Sequence, residues 1–350
     1  MEGRYDYIIV GQGLAGTFLA HRLLKRNRKV LVVDEHPAGS SSLVAAGIFN
    51  PVTGRRFAKT WMAETLFPYA EESYRELEEL LGERFYFRKD ILRPFSSVKE
   101  QNDWLLKEPN GSEAFATEAP PALFAEIEND FGGLLLNPGG FVDVKMLMGL
   151  YRSYLQRMDI LVSSAFEVSE MHIQTNQVIY KGIEAKRIIF CEGYKGTVNP
   201  YFSWLPLSPA KGEILTVKIP GCSIDKIISK GIFILPLGNE MYRVGATYSW
   251  HEFNETPTAP ARKELTEKLE KLLKVPFEIV HHEAGVRPAV KDRRPLTGLH
   301  PEHPALGIFN GLGTKGVLLA PYFANDLAEH LESGTPLNEE ASIERFRNLL

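Results

Sequence analysis

The stretch YIIVGQGLAG, residues 7–16, decides the fold of this chain. Its first four residues form a short apolar run rich in β-branched side chains, which is typical of a buried parallel strand. Residues 14–26 then carry apolar side chains at helical spacing, and a second apolar run, residues 30–33, ends at Asp34. A strand, a helix and a strand within about 30 residues predict a βαβ unit.

The glycines of this unit have the GxGxxG spacing of a dinucleotide-binding turn. Gly11 permits the tight turn, Gly13 lets a pyrophosphate approach the backbone, and Gly16 lets the helix pack closely on the strand. The helix N-terminus binds phosphate, and the carboxylate of Asp34 accepts hydrogen bonds from ribose hydroxyls and disfavours NADP. The complete unit therefore predicts dinucleotide binding, with FAD and NAD both open and a plain βα turn as the alternative.

The composition limits the class of protein. The 350 residues suit two domains, and 40 basic against 44 acidic residues argue against a dedicated nucleic-acid binder. Two cysteines, Cys191 and Cys222, are too few for a disulfide framework or a zinc ribbon. No run approaches the roughly 20 apolar residues of a membrane span, and no signal peptide is evident. We therefore expect a cytoplasmic protein.

Beyond the first unit, the patterns predict helices and a separate group of antiparallel strands. The predicted helices cover 61–81, 142–158 and 265–273, with another after Gly316. The antiparallel strands are expected at 213–219, 226–235 and 241–248, where a period of two indicates one buried face. The strand-forming and helix-forming segments alternate along the chain, so the two domains are expected to interleave.

Four motifs together resemble the D-amino-acid oxidase (DAO) family of FAD-dependent oxidoreductases, which has glycine-oxidase-like and sarcosine-oxidase-like members. The motifs are 6–16 with Asp34; 40–42 with 45–51; 187–193; and 285–288 with 292–298 and 310–316. They follow the family order and cover most of the chain. The resemblance implies an α/β FAD-binding Rossmann-like domain from 1–85, 141–200 and 284–350. It implies an α+β substrate domain with an antiparallel sheet from 86–140 and 201–283.

The resemblance also implies a non-covalently bound FAD. The expected cofactor-binding residues are Gly11, Gly13, Leu14, Ala15, Gly16, Asp34, Glu35, Ser41, Ser42, Ala46, Gly47, Gly193, Gly311, Gly313, Thr314, Lys315 and Gly316. Gly47 would let backbone approach the flavin without an intervening side chain. The helix after Gly316 would stabilise the anionic reduced flavin, and Lys315 would either add a positive charge there or project into solvent.

Arg287, in the GVRP motif, is the residue that the resemblance places at the substrate. A guanidinium matches a carboxylate bidentately and would orient the Cα–H of an amino acid toward the flavin. A structural arginine, or one that contacts flavin oxygens, is the alternative. Glycine-oxidase-like members have a tyrosine where this chain has Phe233, and Tyr242 or Tyr248 could supply the missing hydroxyl. Arg287, Phe233 and Tyr248 are the expected substrate-binding residues.

Two basic clusters and a histidine pair remain. The clusters are Arg55, Arg56 and Lys59, and Lys291, Arg293 and Arg294. They either line the mouth of the site or, as is more common for such clusters, lie on solvated surface loops and form structural ion pairs there. The pair His281 and His282 has no further set of ligands in the sequence, so no metal site is expected.

The expected function is an FAD-dependent oxidation of the C–N bond of an amino acid or related small amine by hydride transfer to flavin. The electron acceptor is oxygen or another acceptor, and neither a nucleic-acid partner nor a membrane span is expected. The alternatives are oxidation of a 2-hydroxy acid, modification of a tRNA uridine, or a non-catalytic binding module on the same fold.

Overall fold

The computed structural model describes residues 3–35, 40–54, 56–106, 110–174 and 177–350. Within them lie the helices α1 (Leu14–Lys25), α2 (Ser41–Val44), α3 (Ala63–Leu81), α4 (Val98–Leu105), α5 (Val144–Arg157), α6 (Ala259–Leu272) and α7 (Gly316–Ser333). Short 3-10 helices cover Glu113–Phe115, Val168–Glu170, Gly193–Val198 and Ile343–Leu349.

The first strands are β1 (Arg4–Val10), β2 (Val30–Val33), β3 (Ile48–Phe49), β4 (Val52–Thr53), β5 (Ala58–Lys59), β6 (Tyr86–Arg88), β7 (Ile91–Pro94), β8 (Ala116–Ala119), β9 (Gly133–Leu136) and β10 (Gly140–Val142). They are followed by β11 (Leu161–Val162), β12 (Met171–Ile173), β13 (Val178–Tyr180), β14 (Ile183–Phe190), β15 (Ala210–Lys218), β16 (Ile227–Lys230), β17 (Ile232–Gly238), β18 (Met241–Gly245), β19 (Glu278–Arg287), β20 (Leu296–Leu299) and β21 (Leu306–Asn310).

A mainly parallel sheet forms the first layer. Its order is β11-β2-β1-β14-β13-β12, with β21 parallel to β14 and β20 antiparallel to β21. Ile8 and Ile9 of β1 are fully buried, as expected for a strand covered on both faces. The register pairs Val10 with both Val33 and Phe190. The loops after β1, β2 and β14 therefore begin at one edge of the sheet.

Helices α1, α3, α5 and α7 contribute to the core on one side of this sheet. Phe18 of α1 is fully buried and meets Tyr74 of α3 edge-on, with ring centroids 5.3 Å apart. The Tyr74 hydroxyl donates to the carbonyl of Val317 on α7 at 2.7 Å, so that its buried oxygen is satisfied. Asp143 caps α5 by accepting from the N–H of Met146, so that this helix begins at Val144, two residues after the predicted start at 142.

An antiparallel sheet forms the second layer, in the order β19-β15-β18-β17-β16-β7-β9-β8. Only the pairing of β7 with β16 is parallel among these described strands. One face packs against Leu265, Leu269 and Leu272 of α6. The segment expected as one strand at 226–235 is wrong in detail, because the chain turns at Gly231, with a φ of +72°, between β16 and β17.

The strands cross the expected division of the chain at more than one place: β6, from the segment 86–140, pairs with β10 in a separate sheet with β3, and β19 crosses position 284. β7, β8, β9 and β15–β18 come from the two segments assigned to the substrate domain, whereas β19 continues past position 284 to Arg287. The domain boundaries themselves stay a prediction. Within the described part of the chain, no helix is both long and apolar enough to span a membrane.

We expect Phe18→Ala to lower the free energy of unfolding by about 3–5 kcal/mol, because it leaves a cavity between α1 and α3. Chemical denaturation at constant FAD concentration measures the change. The matched control is Leu106→Ala, at a position 83% exposed, which should stay within about 0.5 kcal/mol of the parent. Equal effects of the two substitutions would contradict this account of the core.

Candidate functional site

A cavity of about 520 Å³ lies between the carboxyl edge of the parallel sheet and one face of the antiparallel sheet. Its lining includes the loops after β1, β2, β14 and β18, the segment 40–48, the start of α7, and strands β7, β15, β16, β17 and β19. Most of the sequence-predicted site residues meet here, although they come from the whole length of the chain. Gly16, Gly311 and Lys315 are the predicted residues that do not line the cavity.

The first turn depends on glycine at two positions. Gly11 has a φ of +98°, and a Cβ there would lie 2.5 Å from the carbonyl oxygen of Cys191. A Cβ at Gly16 would overlap the carbonyl oxygen of Gly11, so Gly16 acts by letting α1 approach the strand rather than by lining the cavity. The backbone at the start of α1 is therefore held close to the edge of the sheet.

The N-terminus of α1 faces the cavity, and its first turn carries no carboxylate. Its N-cap, Gly13, makes no side-chain capping bond, and the first turn contains no acidic residue. The N–H of Leu14 donates to the Ser42 hydroxyl at 3.2 Å, and Ala15 and Ser41 also line the cavity. A helix N-terminus with a nearby hydroxyl and no acidic residue in its first turn suits the phosphates of a dinucleotide.

Asp34 is held by residues that the motif did not reveal. Its carboxylate accepts from the N–H of Gln12 at 2.9 Å and from the guanidinium of Arg152 at 2.8 Å. Arg152 lies on α5 and also donates to Ser163. No spacing in the sequence connects Arg152 with Asp34, because only the packing of α5 beside the sheet brings them together.

Two further charges lie at the same end of the cavity. Glu35 forms an ion pair with Lys195, which follows the third motif in the chain, and both side chains line the cavity. Gly193, with a φ of +60°, also lines it and has no atom within 4 Å of the place where a Cβ would stand. This end therefore combines an open glycine with a paired acid and base.

The segment 45–47 lines the cavity, and its glycine is also required for close packing. A Cβ on Gly47 would overlap the carbonyl oxygen of Val142, whose N–H donates to the Gly47 carbonyl at 3.0 Å. Gly47 thus allows close packing against β10, while Ala46 beside it also lines the cavity. The guanidinium of Arg243 donates to the Ala45 carbonyl at 3.1 Å and fixes the segment from the antiparallel sheet.

At the start of α7, some residues line the cavity and others pack away from it. Gly313, Thr314 and Gly316 line the cavity, whereas a Cβ on Gly311 would lie 2.6 Å from Cγ2 of Val290. Lys315 points away from the lining, and its ammonium donates to the Thr60 hydroxyl at 2.9 Å. Burial, together with the positive charges of Arg294 and Arg293, lowers the pKa of Lys315 to about 8.

Arg287 brings a cation to the sheet face of the cavity. Its guanidinium fills the space left by Gly212, where a Cβ would overlap both terminal nitrogens. It donates to the Thr247 carbonyl at 3.4 Å and lies 4.5 Å from the centroid of the Tyr248 ring. Burial lowers the pKa of Arg287, and no carboxylate of the described residues is within ion-pair distance of it. Its bidentate donors are thus open to an anionic ligand.

The aromatic residues expected near the substrate separate into two groups. Phe233 and Tyr248 both line the cavity, and Tyr248 is half-exposed beside Trp250. Tyr242 is buried, and its hydroxyl donates to the carbonyl of Cys222 at 3.0 Å. Tyr242 is therefore held in the core of the second sheet, and Tyr248 is the tyrosine that the fold brings to Arg287.

The two basic clusters lie outside the cavity lining as far as they are described. Arg55 lies outside the described residues, Lys59 pairs with Glu64 at 2.7 Å, and Arg294 pairs with Glu340 at 2.9 Å. Of the histidine pair, His282 lies 2.9 Å from the buried Glu213. In the described part of the chain, no group of three or more His, Cys, Asp and Glu side chains is arranged to hold a metal ion.

Comparisons with known proteins agree with this geometry. The sequence profile of the family described as FAD dependent oxidoreductase (DAO) matches residues 6–330. The chain belongs to this family. Glycine oxidase of Bacillus licheniformis is 25% identical over 376 residues, covering 99% of this chain and 98% of the relative. The DAO-family fold is shown again by iminodiacetate oxidase of Chelativorans sp. BNC1, which has a TM-score of 0.79, 20% identity, and coverage of 97% of this chain and 98% of that one.

A third relative is longer than this protein. The tRNA 5-methylaminomethyl-2-thiouridine biosynthesis bifunctional protein MnmC of Marinobacter nauticus is 22% identical over 358 residues, which are 94% of this chain and 56% of that protein. This DAO-family chain thus spans a little over half the length of that relative.

The family membership makes the protein an FAD-dependent oxidoreductase, and the cavity fits FAD. Its nucleotide end has the carboxylate of Asp34 and the N-terminus of α1, and the cavity continues past the segment 45–47 to the start of α7. The residues that could hold the cofactor are therefore those of the loops after β1, β2 and β14 and of the first turn of α7. The expected α/β Rossmann-like fold with an antiparallel sheet is confirmed.

We expect Gly13→Ala to weaken FAD binding at least tenfold, because the added methyl group would stand 3.1 Å from the Ser42 hydroxyl at the open end of α1. Fluorescence titration of the stripped protein with FAD measures the dissociation constant. Gly149→Ala is the matched control, since that glycine lies within α5 with nothing within 4 Å of its Cβ position. Unchanged affinity in Gly13→Ala would remove this turn from the cofactor site.

We expect Lys315→Met to stabilise the FAD-free protein near pH 7, on the order of 2–3 kcal/mol, and to lose that advantage as the pH rises from 8 to 10.5. A lysine with a folded pKa of about 8 and an ordinary value of 10.5 binds fewer protons in the folded state across this window. Stability of the parent protein therefore increases with pH there.

Urea unfolding at pH 7.0, 8.5 and 10 measures the difference between Lys315→Met and the parent. Lys291→Met, at an exposed position, is the control and should change the free energy of unfolding by less than about 0.5 kcal/mol throughout. A difference between Lys315→Met and the parent that does not vary with pH would show that the ammonium is not buried as described.

Proposed function

We propose that this protein oxidises the C–N bond of an amino acid or related small amine and transfers a hydride to its FAD. The observation that carries the proposal is Arg287, a largely buried guanidinium that has no carboxylate partner in the described part of the chain and faces the cavity. Burying an unpaired cation is costly unless a ligand compensates it. A substrate carboxylate would compensate it, because a planar guanidinium matches a carboxylate bidentately.

The bound flavin supplies the hydride acceptor, and the protein supplies binding and orientation. In this proposal Arg287, whose guanidinium occupies the space that Gly212 leaves free, binds the substrate carboxylate through both terminal nitrogens. Tyr248 covers the guanidinium and excludes water from the ion pair, which strengthens it. Phe233 supplies an apolar wall, so this position offers no hydroxyl that could donate to the carboxylate.

The cofactor contacts are part of the same proposal. Phosphates are held by the start of α1 with Ser41 and Ser42, and the ribose by Asp34, which Arg152 and Gln12 orient. The backbone of 46–47 and of the first turn of α7 would face the flavin. The Lys315 ammonium lies behind that part of the lining, where it donates to the Thr60 hydroxyl. Oxygen or another acceptor would reoxidise the flavin, and mixing the reduced protein with air distinguishes the two.

Support for the amine substrate also comes from relatives. A similar glycine oxidase and an iminodiacetate oxidase both carry names that describe oxidation of small amino acids. The MnmC relatives are named for tRNA thiouridine biosynthesis, and they support the second candidate, a modified uridine. The small-molecule reading is preferred because the described basic clusters lie outside the cavity lining.

We expect Arg287→Ala to raise KM for the best amino acid by about 10- to 150-fold while FAD remains bound. This range corresponds to the roughly 1.5–3 kcal/mol of a charged hydrogen bond. Steady-state turnover with an artificial electron acceptor gives KM, and anaerobic bleaching of the flavin band gives the substrate dissociation constant, which should rise by a similar factor. Arg293→Ala is the control, because Arg293 is exposed and lies outside the cavity lining.

Gly212→Ala should have the same effect as Arg287→Ala, since its methyl group displaces the guanidinium without removing it. Two results would count against the proposal. Normal KM values in both variants would take Arg287 out of the substrate site, and a flavin that no amine bleaches would reject amine oxidation itself.

A further inference from the structure

We infer that the substrate is a monocarboxylic amino acid with an extended apolar side chain or N-alkyl group, bound along the sheet from Arg287 toward β16. This inference rests on the proposed function and names the substrate class of that site. It follows from how charge and apolar surface are distributed across one face of the antiparallel sheet.

The residues on the cavity face of the sheet are paired with one another across neighbouring strands. Gly212 of β15 is paired with Gly285 of β19, and Ile214 is paired with Gly245 of β18. Gly245 is paired in turn with Phe233 of β17. On β16, Ser229 is paired with Phe233 and Ile227 with Ile91 of β7. Apart from Gly245, all of these residues line the cavity.

This register gives the subsite a length. Neighbouring strands lie about 4.8 Å apart, so Phe233 on β17 is roughly 10 Å from the strand of Gly212, and Ile227 on β16 is roughly 14 Å from it. The guanidinium of Arg287 lies at the Gly212 end. A substrate whose carboxylate is bound there has the side chains of Ile214 and Phe233 beside it, and the fully buried Ile227 closes the subsite at β16. Glycine, which ends at its α-carbon, leaves that surface uncovered.

The charges exclude a second carboxylate. The cations among the described cavity-lining residues are Arg287 and Lys195, and Lys195 is paired with Glu35 at the nucleotide end. Beyond Arg287 the sheet presents Ile214, Phe233 and Ile227, with Ser229 as a neutral polar group. A second carboxylate would lose its water there without gaining a cation. Dicarboxylic amino acids are therefore poor substrates.

The energetics set the expected pattern of rates. Each methylene that leaves water contributes a factor of about four to binding, provided that it reaches the apolar surface. We therefore expect kcat/KM to increase about fourfold per added methylene from alanine through 2-aminobutyrate and norvaline to norleucine. Glycine and sarcosine should be at least 30-fold poorer than norleucine or phenylalanine, and aspartate and iminodiacetate poorer still.

The test is anaerobic reduction of the FAD-loaded protein, followed by flavin absorbance, with both enantiomers of this series and with glycine, sarcosine, aspartate and iminodiacetate. A rise with side-chain length in one enantiomeric series supports the inference. If glycine, sarcosine or a dicarboxylate is the best substrate, or if kcat/KM is flat along the series, the inference is overturned while amine oxidation stands. If no amine reduces the flavin, the proposed function fails instead.

Variants locate the subsite. Phe233→Leu should reduce the gain per methylene for the longest substrates. Ile227→Ala should do the same while leaving kcat/KM for alanine within about twofold. Val280→Ala is the matched control, because Val280 belongs to the same sheet and is 53% exposed. An unchanged chain-length dependence in both Ile227→Ala and Phe233→Leu would overturn the assignment of this sheet face as the side-chain subsite.

Discussion

The parallel pairing of β1 with β2 and β14 is the constraint on which the rest of this structure depends. It aligns Val10 with Val33 and Phe190, so three loops that are far apart in sequence begin at one edge of a buried sheet. Backbone N–H groups, a carboxylate and an open glycine meet at that edge as a consequence. An open parallel sheet binds its ligand at this edge because the carboxyl ends of its strands lie there.

Close backbone approach then completes the cofactor cavity. At Gly11 and Gly16 any side chain would collide with a neighbouring carbonyl, and the same is true at Gly47. The glycines of the motifs thus do two different things. Some leave space open toward the cavity, as Gly193 does, and others allow helices and strands to pack closely around it.

On the substrate side, β15 serves both faces of its sheet. Gly212 makes room for Arg287 on the cavity face, whereas Lys211 and Glu213 on either side of it are buried on the other face. The Lys211 ammonium donates to Asn254 and to the Thr256 carbonyl, and the Glu213 carboxylate accepts from the N–H and hydroxyl of Thr258. These buried charges hold the segment that follows Tyr248, because releasing it would remove four hydrogen bonds from two buried charged groups. The ring that covers Arg287 is therefore positioned from behind the sheet.

The sequence by itself determined the βαβ unit, because glycine spacing and apolar runs are local signals with a direct backbone meaning. That unit left FAD and NAD both open, and the resemblance of four motifs to the DAO family indicated FAD. It also indicated Arg287, through a motif rather than through its surroundings. Tertiary structure alone decided that Arg152 orients Asp34 and that Lys315 turns to Thr60 and leaves the cavity lining. It also decided that Tyr248, and not Tyr242, stands beside Arg287. These outcomes depend on contacts between residues tens to hundreds of positions apart, and periodicity carries no information about such contacts.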